Sequence, residues 1–134
     1  MIDIEVDFFN ELARLVLADY PEAYISNEYT PVPGSFPALF VLESSNVLAN
    51  RLQTSSDEEE GASLTYTIEV AHPSAKDGKA TCKAILGTID DRMRMRNMTR
   101  TMCEPVKNAE NPSIYRMIAR YTGIVDRFGT HFRR

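Results

Sequence analysis

The sequence predicts an α+β domain, a largely antiparallel or mixed sheet with two main helices covering one face. Two stretches repeat apolar residues at helical spacing, other stretches alternate with a period of two, and the order runs helix, strands, helix, strands. Of the 134 residues, 43% are hydrophobic and 25% charged, the balance of one soluble globular domain covering residues 1–134. No internal repeat and no second domain is visible.

Residues 3 to 18 place Val6, Phe9, Leu12, Ala13, Val16 and Leu17 on one helical stripe. Asp3 is the expected N-cap, Glu5 and Asp7 suit the positive end of the helix dipole, and Tyr20-Pro21 stops the helix. Ala23 to Tyr29 is β-prone and predicts a short strand. The following PVPGSFP, residues 31 to 37, excludes regular structure and forces an extended crossing. Ala38 to Leu42 is apolar on both faces and predicts a central strand. Residues 45 to 61 turn polar and end in SSDEEEG, which predicts one long, mobile, acidic loop.

Leu64, Tyr66, Ile68 and Val70 alternate with Ser63, Thr65, Thr67 and Glu69, the pattern of a strand with one buried and one wet face. Pro73-Ser74 followed by Asp77 has the Ser-x-x-acid form of a helix start. Cys82, Ile85, Leu86, Ile89 and Met93 supply the stripe of this second helix, which runs to about Arg96. Gly78 and Gly87 lie within it at a cost of ~1 kcal/mol each against Ala. Met98 to Met102 predicts a strand that Pro105 ends, and Asn111-Pro112 a turn. Ile114 to Val125 alternates as a strand, Asp126 to Gly129 turns, and Thr130 to Arg133 returns as a last short strand.

Several function classes find no residues to carry them. No uncharged apolar run reaches the ~18 residues of a membrane span, and the start MIDIEVD lacks the basic flank of a signal peptide. The expectation is a protein with no membrane partner that stays in the cytosol where it is made. Cys82 and Cys103 share no ligand spacing, so both are expected as reduced, semi-buried thiols. Asp90 and Asp91 are helix neighbours that point about 100° apart and share no site. His72 and His131 are too scattered relative to the cysteines for structural zinc or a Cys–His nucleophile. No Gly-rich phosphate loop and no GxSxG occurs. Catalytic, cofactor-binding and metal-binding residues are therefore not expected.

Charge is the sharpest feature. Residues 1–91 hold 5 Lys/Arg against 16 Asp/Glu, whereas residues 92–134 hold 10 against 3. Opposite signs on one small body suit copies that dock front to back, closing into a ring or running on as a filament. Arg92, Arg94, Arg96 and Arg100 cluster, and arginine forks bind carboxylate or phosphate bidentately. Helical spacing puts Arg92 and Arg96 on one face while Arg94 looks elsewhere. The acidic run Asp57, Glu58, Glu59 and Glu60 is a natural complement. Arg92, Arg96 and Arg100 with this run are therefore the expected subunit interface, set against a solvated helix end or a DNA contact. A pI near 5.2 and the lack of a nucleic-acid motif weigh against DNA.

The segments MIDIE, YISNEY, SFPALFVLE, LTYTIEV, TIDDRM, MTRTM and IYRMIARYTGIVD, in this order, resemble the tail terminator, or tail completion, proteins of long-tailed bacteriophages. The likeness spans nearly the whole chain and is most specific at Phe36-Pro37-Ala38 and at Ile114-Tyr115-Arg116-Met117. It implies an α+β fold without enzymatic activity or cofactor. It also implies a ring, commonly hexameric, at the head-proximal end of the tail tube, where it halts tube growth and offers the head a docking surface. The implied partners are further copies of the chain, monomeric before assembly, the tail tube protein and the head–tail connector protein. DNA would only pass through the lumen. The implied location is the virion tail, with the host cytoplasm during assembly. A head–tail joining adaptor or minor tail protein touching the DNA exit channel is the alternative. Charge reversal at Arg92 with Arg96 is expected to leave the monomer folded and to stop tube capping.

Overall fold

The computed structural model describes residues 4–30, 33–48, 61–106 and 113–126. Helix α1 (Glu5–Asp19) is followed by β1 (Tyr24–Ser26), β2 (Ala38–Leu48) and β3 (Gly61–Pro73). A single 3-10 turn then leads into α2 (Gly78–Met95), β4 (Thr99–Pro105) and β5 (Ile114–Asp126). The strands form one sheet in the order β1-β2-β3-β5-β4, with β1 parallel to β2 and every other pair antiparallel. The chain is thus α+β.

α1 turns Phe8, Leu12 and Val16 into the main core, and the Phe8 ring stacks on Tyr66 with centroids 4.5 Å apart. The predicted stripe is wider than the face the sheet covers. Phe8 joins the buried set, while Val6 and Leu17 remain 65% and 39% exposed. At the far end the Tyr20 N–H reaches Val16 O at 2.9 Å, and Pro21 allows no further turn. Asp3, the expected N-cap, lies outside the described residues.

β1 is shorter than its β-prone sequence suggests because the Ser26 hydroxyl accepts the Glu28 N–H at 3.0 Å and bends the chain. Side chains on either side of the described part of the crossing cover the helix-free face of the sheet. Tyr24 and Phe36 pack there with Ile114 around Ala38, Phe40 and Ala71, a second small core. This cover overturns the expected wet face of β3. Thr67, Glu69 and Ala71 are buried, so in its second half the strand is covered on both sides. β2 also runs further than predicted: residues 45–48 pair with β3 beyond a bulge between Glu43 and Ser45, and Gly61 already belongs to β3. The rest of the predicted loop, residues 49–60, lies outside the described residues. So do residues 31–32 of the crossing, the Asn111-Pro112 turn, residues 127–129 of the last turn, and the strand expected at Thr130 to Arg133.

α2 begins three residues later than the Ser-x-x-acid pattern implies. Pro73 still belongs to β3, and the Ser74 N–H bonds Ser113 O at 2.8 Å rather than opening a helix. After the 3-10 turn, Asp77 takes a left-handed conformation (φ 55°) that redirects the chain, and its carbonyl accepts the Thr81 N–H. A Cβ at Gly78 would lie 2.9 Å from His72 O, from Pro73 O and from Tyr115 Cβ, so only glycine fits against the strand ends. At the C-terminus Asn97 is left-handed (φ 59°), its N–H reaching Arg94 O and the Met98 N–H reaching Met93 O. This is a Schellman closure, and the side chains of Met93 and Met98 on either side of it are both buried in the main core.

Both cysteines are free, but neither is semi-buried as expected. Cys82 is fully buried with Sγ 3.6 Å from Val70 O and from Tyr115 O, and burial pushes its thiol up to about 12. Cys103 is exposed.

Candidate functional site

The basic end of α2 is built from two ion-pair clusters on opposite flanks of the helix. Arg92 and Arg96 share a face, as their spacing predicts, and that face looks at α1. Arg96 grips Glu11 with both arms of its fork, Nε to Oε1 at 3.2 Å and Nη2 to Oε2, while Arg92 Nη1 stands 3.5 Å from Oε1. Glu11 is largely shielded, its side chain 16% exposed, so two cations on one carboxylate tie the helices together.

On the other flank Asp90 Oδ1 accepts the Tyr121 hydroxyl at 2.8 Å and Arg100 Nη1 at 3.0 Å. Tyr121 is buried under α2, and burial followed by the bond to Asp90 pushes its hydroxyl above the usual tyrosine range. It therefore remains a donor. Arg94 points outward to Asp91 at 2.6 Å, with Asp90 Oδ2 3.9 Å away. Asp90 and Asp91, expected to share no site, both reach the Arg94 guanidinium, and Asp90 is a structural acceptor for a buried hydroxyl rather than plain surface charge.

Arg92, Arg96 and Arg100 thus already hold carboxylates of their own chain. The structure brings Arg92 and Arg96 together and sets Arg100 on the far flank. Asp57, Glu58, Glu59 and Glu60 lie outside the described residues. The expectation that reversing Arg92 with Arg96 spares the fold does not fit this geometry, because the double change would put three carboxylates together between the helices.

Between α2 and the β4–β5 pair runs a groove of about 170 Å³. Leu86, Gly87, Met117 and Tyr121 line it together with Lys83, Cys103 and the paired Asp90 and Arg100. β4 forms one edge of the sheet, but the bulge between Arg100 and Met102, the charges of Arg100 and Glu104, and Pro105 all blunt that edge against an added strand.

On the helix-free face Arg116 and Glu69 are both buried, 3.5 Å apart, and Tyr29 lies over the guanidinium at 5.6 Å. Burial pushes the Glu69 carboxyl up, and Arg116 only partly opposes this. His72, at the end of β3, is held down by burial and by Lys76. Thr65 and Thr122 share a hydroxyl bond at 2.8 Å, and Thr67 donates to Ser44 at 3.1 Å. Among the described residues no three His, Cys, Asp or Glu side chains gather as a metal site, and no helix is long and apolar enough to cross a membrane. His131 lies outside the described residues.

No family model matches this chain, and no curated protein matches it.

Sequence reasoning missed Glu11, Tyr121 and the Glu69–Arg116 pair. Glu11 lies 85 positions from Arg96, and no local pattern links them. For Tyr121 a signal existed: a tyrosine in a buried strand position needs a partner for its hydroxyl. The acid on the covering helix flank was the candidate.

Proposed function

We propose that this chain is a structural component of a phage tail, a terminator whose copies associate front to back into a ring, commonly hexameric, on the head-proximal end of the tail tube. The ring stops tube growth and presents the surface on which the head connector docks. The observation that carries this reading is the division of charge, −11 over residues 1–91 and +7 over residues 92–134, in a chain whose segments follow the terminator-like order. Of the two most terminator-like segments, Phe36-Pro37-Ala38 leads into β2 and Ile114-Tyr115-Arg116-Met117 opens β5. The internal ion pairs leave charge of both signs outside. Asp7 and Asp19 are exposed on α1, and Lys79 and Lys83 are exposed on α2. With the β4 edge blunted, copies would meet through side chains, charges steering the approach and apolar patches supplying most of the affinity.

Polymerisation of tail tube protein, followed by light scattering, tests the reading. Added chain should arrest growth at substoichiometric amounts. Growth unaffected at equimolar chain would contradict it, and steep salt-dependent retention on DNA would favour the adaptor alternative.

A further inference from the structure

We propose that Lys79 and Lys83, on the exposed side of the first half of α2, receive the acidic run Asp57–Glu60 of a second copy of this chain. This rests on the reading that copies associate front to back, and it names the charges that meet.

The ion pairs among the described residues are all made by arginines: Arg92 and Arg96 hold Glu11, Arg94 holds Asp91, Arg100 holds Asp90 and Arg116 faces Glu69. A carboxylate arriving at the C-terminal end of α2 would first have to displace one already bound. The lysines differ. The chain has four, and three of them, Lys76, Lys79 and Lys83, follow one another through the 3-10 turn and the start of α2. All three are exposed, and none enters an ion pair. Lys79 and Lys83, four residues apart, share one face of the helix. They line a shallow depression of about 460 Å³ with Ser74, Asp77 and Ala80. Asp77 is the acid of that depression, and Glu22 shares the neighbourhood of His72 with Lys76, but neither pairs with a lysine. Three cations against these two acids leave the surface positive.

Charge and reach together set the occupant. Asp57 to Glu60 is the only run of four like charges in the chain. It belongs to residues 49–60, which join β2 to β3 at the end of the sheet where Leu48 pairs with Ala62. α2 starts at the other end, since Gly78 sits against His72 and Pro73 at the close of β3. From Gly61 to His72 the strand spans about 36 Å at ~3.3 Å per residue. Asp57, four residues before Gly61, recovers at most about 14 Å of that distance. The remaining gap of roughly 20 Å is more than a lysine and a carboxylate side chain bridge together, so the run does not close on Lys79 of its own chain. Acid leaves one end of the molecule and free lysines stand at the other. A second copy is therefore the occupant, and the contact is heterologous, repeating from copy to copy as a ring demands.

Carboxylate-to-amine coupling reads this contact directly. Equal amounts of heavy-nitrogen and unlabelled protein are mixed, with and without tail tube ends, and treated with a carbodiimide, which joins a carboxylate to an amine it touches. Mass spectrometry of the digest identifies the joined residues, and mixed-isotope pairs report contacts between copies. Mixed pairs from Lys79 or Lys83 to the Asp57–Glu60 run should exceed those to Asp7 or Asp19 about tenfold at low salt, because docking raises the local concentration of that run. In about 1 M salt the excess should vanish as the charges are screened. Lys79→Glu, Lys83→Glu protein should unfold at the wild-type urea midpoint, because these exposed side chains hold no partner, and should lose the linkage. Mixing it with Glu58→Lys, Glu59→Lys protein should restore the linkage with acid and amine exchanged. Mixed pairs spread evenly over the exposed acids, products confined to single copies in both conditions, or no rescue by the exchanged charges would overturn the proposal. The linkage in a protein that leaves tube growth unchanged would keep this contact and remove the terminator reading. Arrest of tube growth by the Lys79→Glu, Lys83→Glu protein would remove the contact and keep that reading.

Discussion

The Tyr121 hydroxyl and the Asp90 carboxylate meet at 2.8 Å across the boundary between β5 and α2, and the same carboxylate oxygen holds Arg100 of β4. One acid thus fastens the second helix to two strands. Tyr121→Phe should cost about 1.5 to 3 kcal/mol in urea unfolding, the value of a hydrogen bond to a charged group. Asp90→Ala should cost more, since it strands the buried hydroxyl as well as releasing Arg100. An Asp90→Ala variant as stable as wild type would contradict this role.

Glu11 and Arg96 should show measurable coupling. With Arg96 42% exposed and Glu11 16% exposed, solvent screening limits the pair to about 1 kcal/mol in a double-mutant cycle. Glu11 with Arg92, at 3.5 Å through a single nitrogen, should couple less. Equal coupling for both arginines would mean that the two-armed geometry contributes nothing.

Glu69 should set a pH slope. Its pKa in the fold lies above the ordinary 4.5, because burial outweighs Arg116. A raised acid contributes stability that is full below the unfolded value and is lost as pH climbs through the folded one. Glu69→Gln should therefore gain on wild type as pH rises above about 4, until the folded carboxyl has ionised, read as the difference in melting temperature at each pH. A difference that stays constant with pH would show that Glu69 ionises in the fold as it does in the open chain.

Two glycines of α2 should respond in opposite directions to alanine. Gly78→Ala forces a methyl group to within 2.9 Å of two backbone carbonyl oxygens and should destabilise by about 2 kcal/mol or more. Gly87→Ala meets nothing within 4 Å and should stabilise the helix by up to about 1 kcal/mol. Chemical denaturation of both variants checks the pair, and a stabilising Gly78→Ala would refute the close approach.

What could be read from the chain divides by range. Local patterns sufficed for both helices, for the period-two strand at Leu64 to Val70, and for the divergence of Arg92 and Arg96 from Arg94. They failed where a distant segment decides. Glu69 looked solvated because the cover over its face arrives from the proline-rich crossing more than 30 positions earlier. Ser74 imitates a helix start, but β3 and Ser113 claim its neighbourhood first. The stripe on α1 was legible as apolar and not as two surfaces, since only the packed sheet separates Leu12 inside from Val6 outside. In the candidate interface, the arginines could be located from sequence, while their partners Glu11 and Asp90 emerge only when two helices and a strand are packed together.

Electron microscopy of tail tubes incubated with the purified protein tests the central claim most directly. The account predicts a closed ring of copies seated on one end of each tube, with tube lengths frozen from the moment of addition. Bare tube ends that keep elongating beside a protein that remains monomeric at every concentration would contradict it.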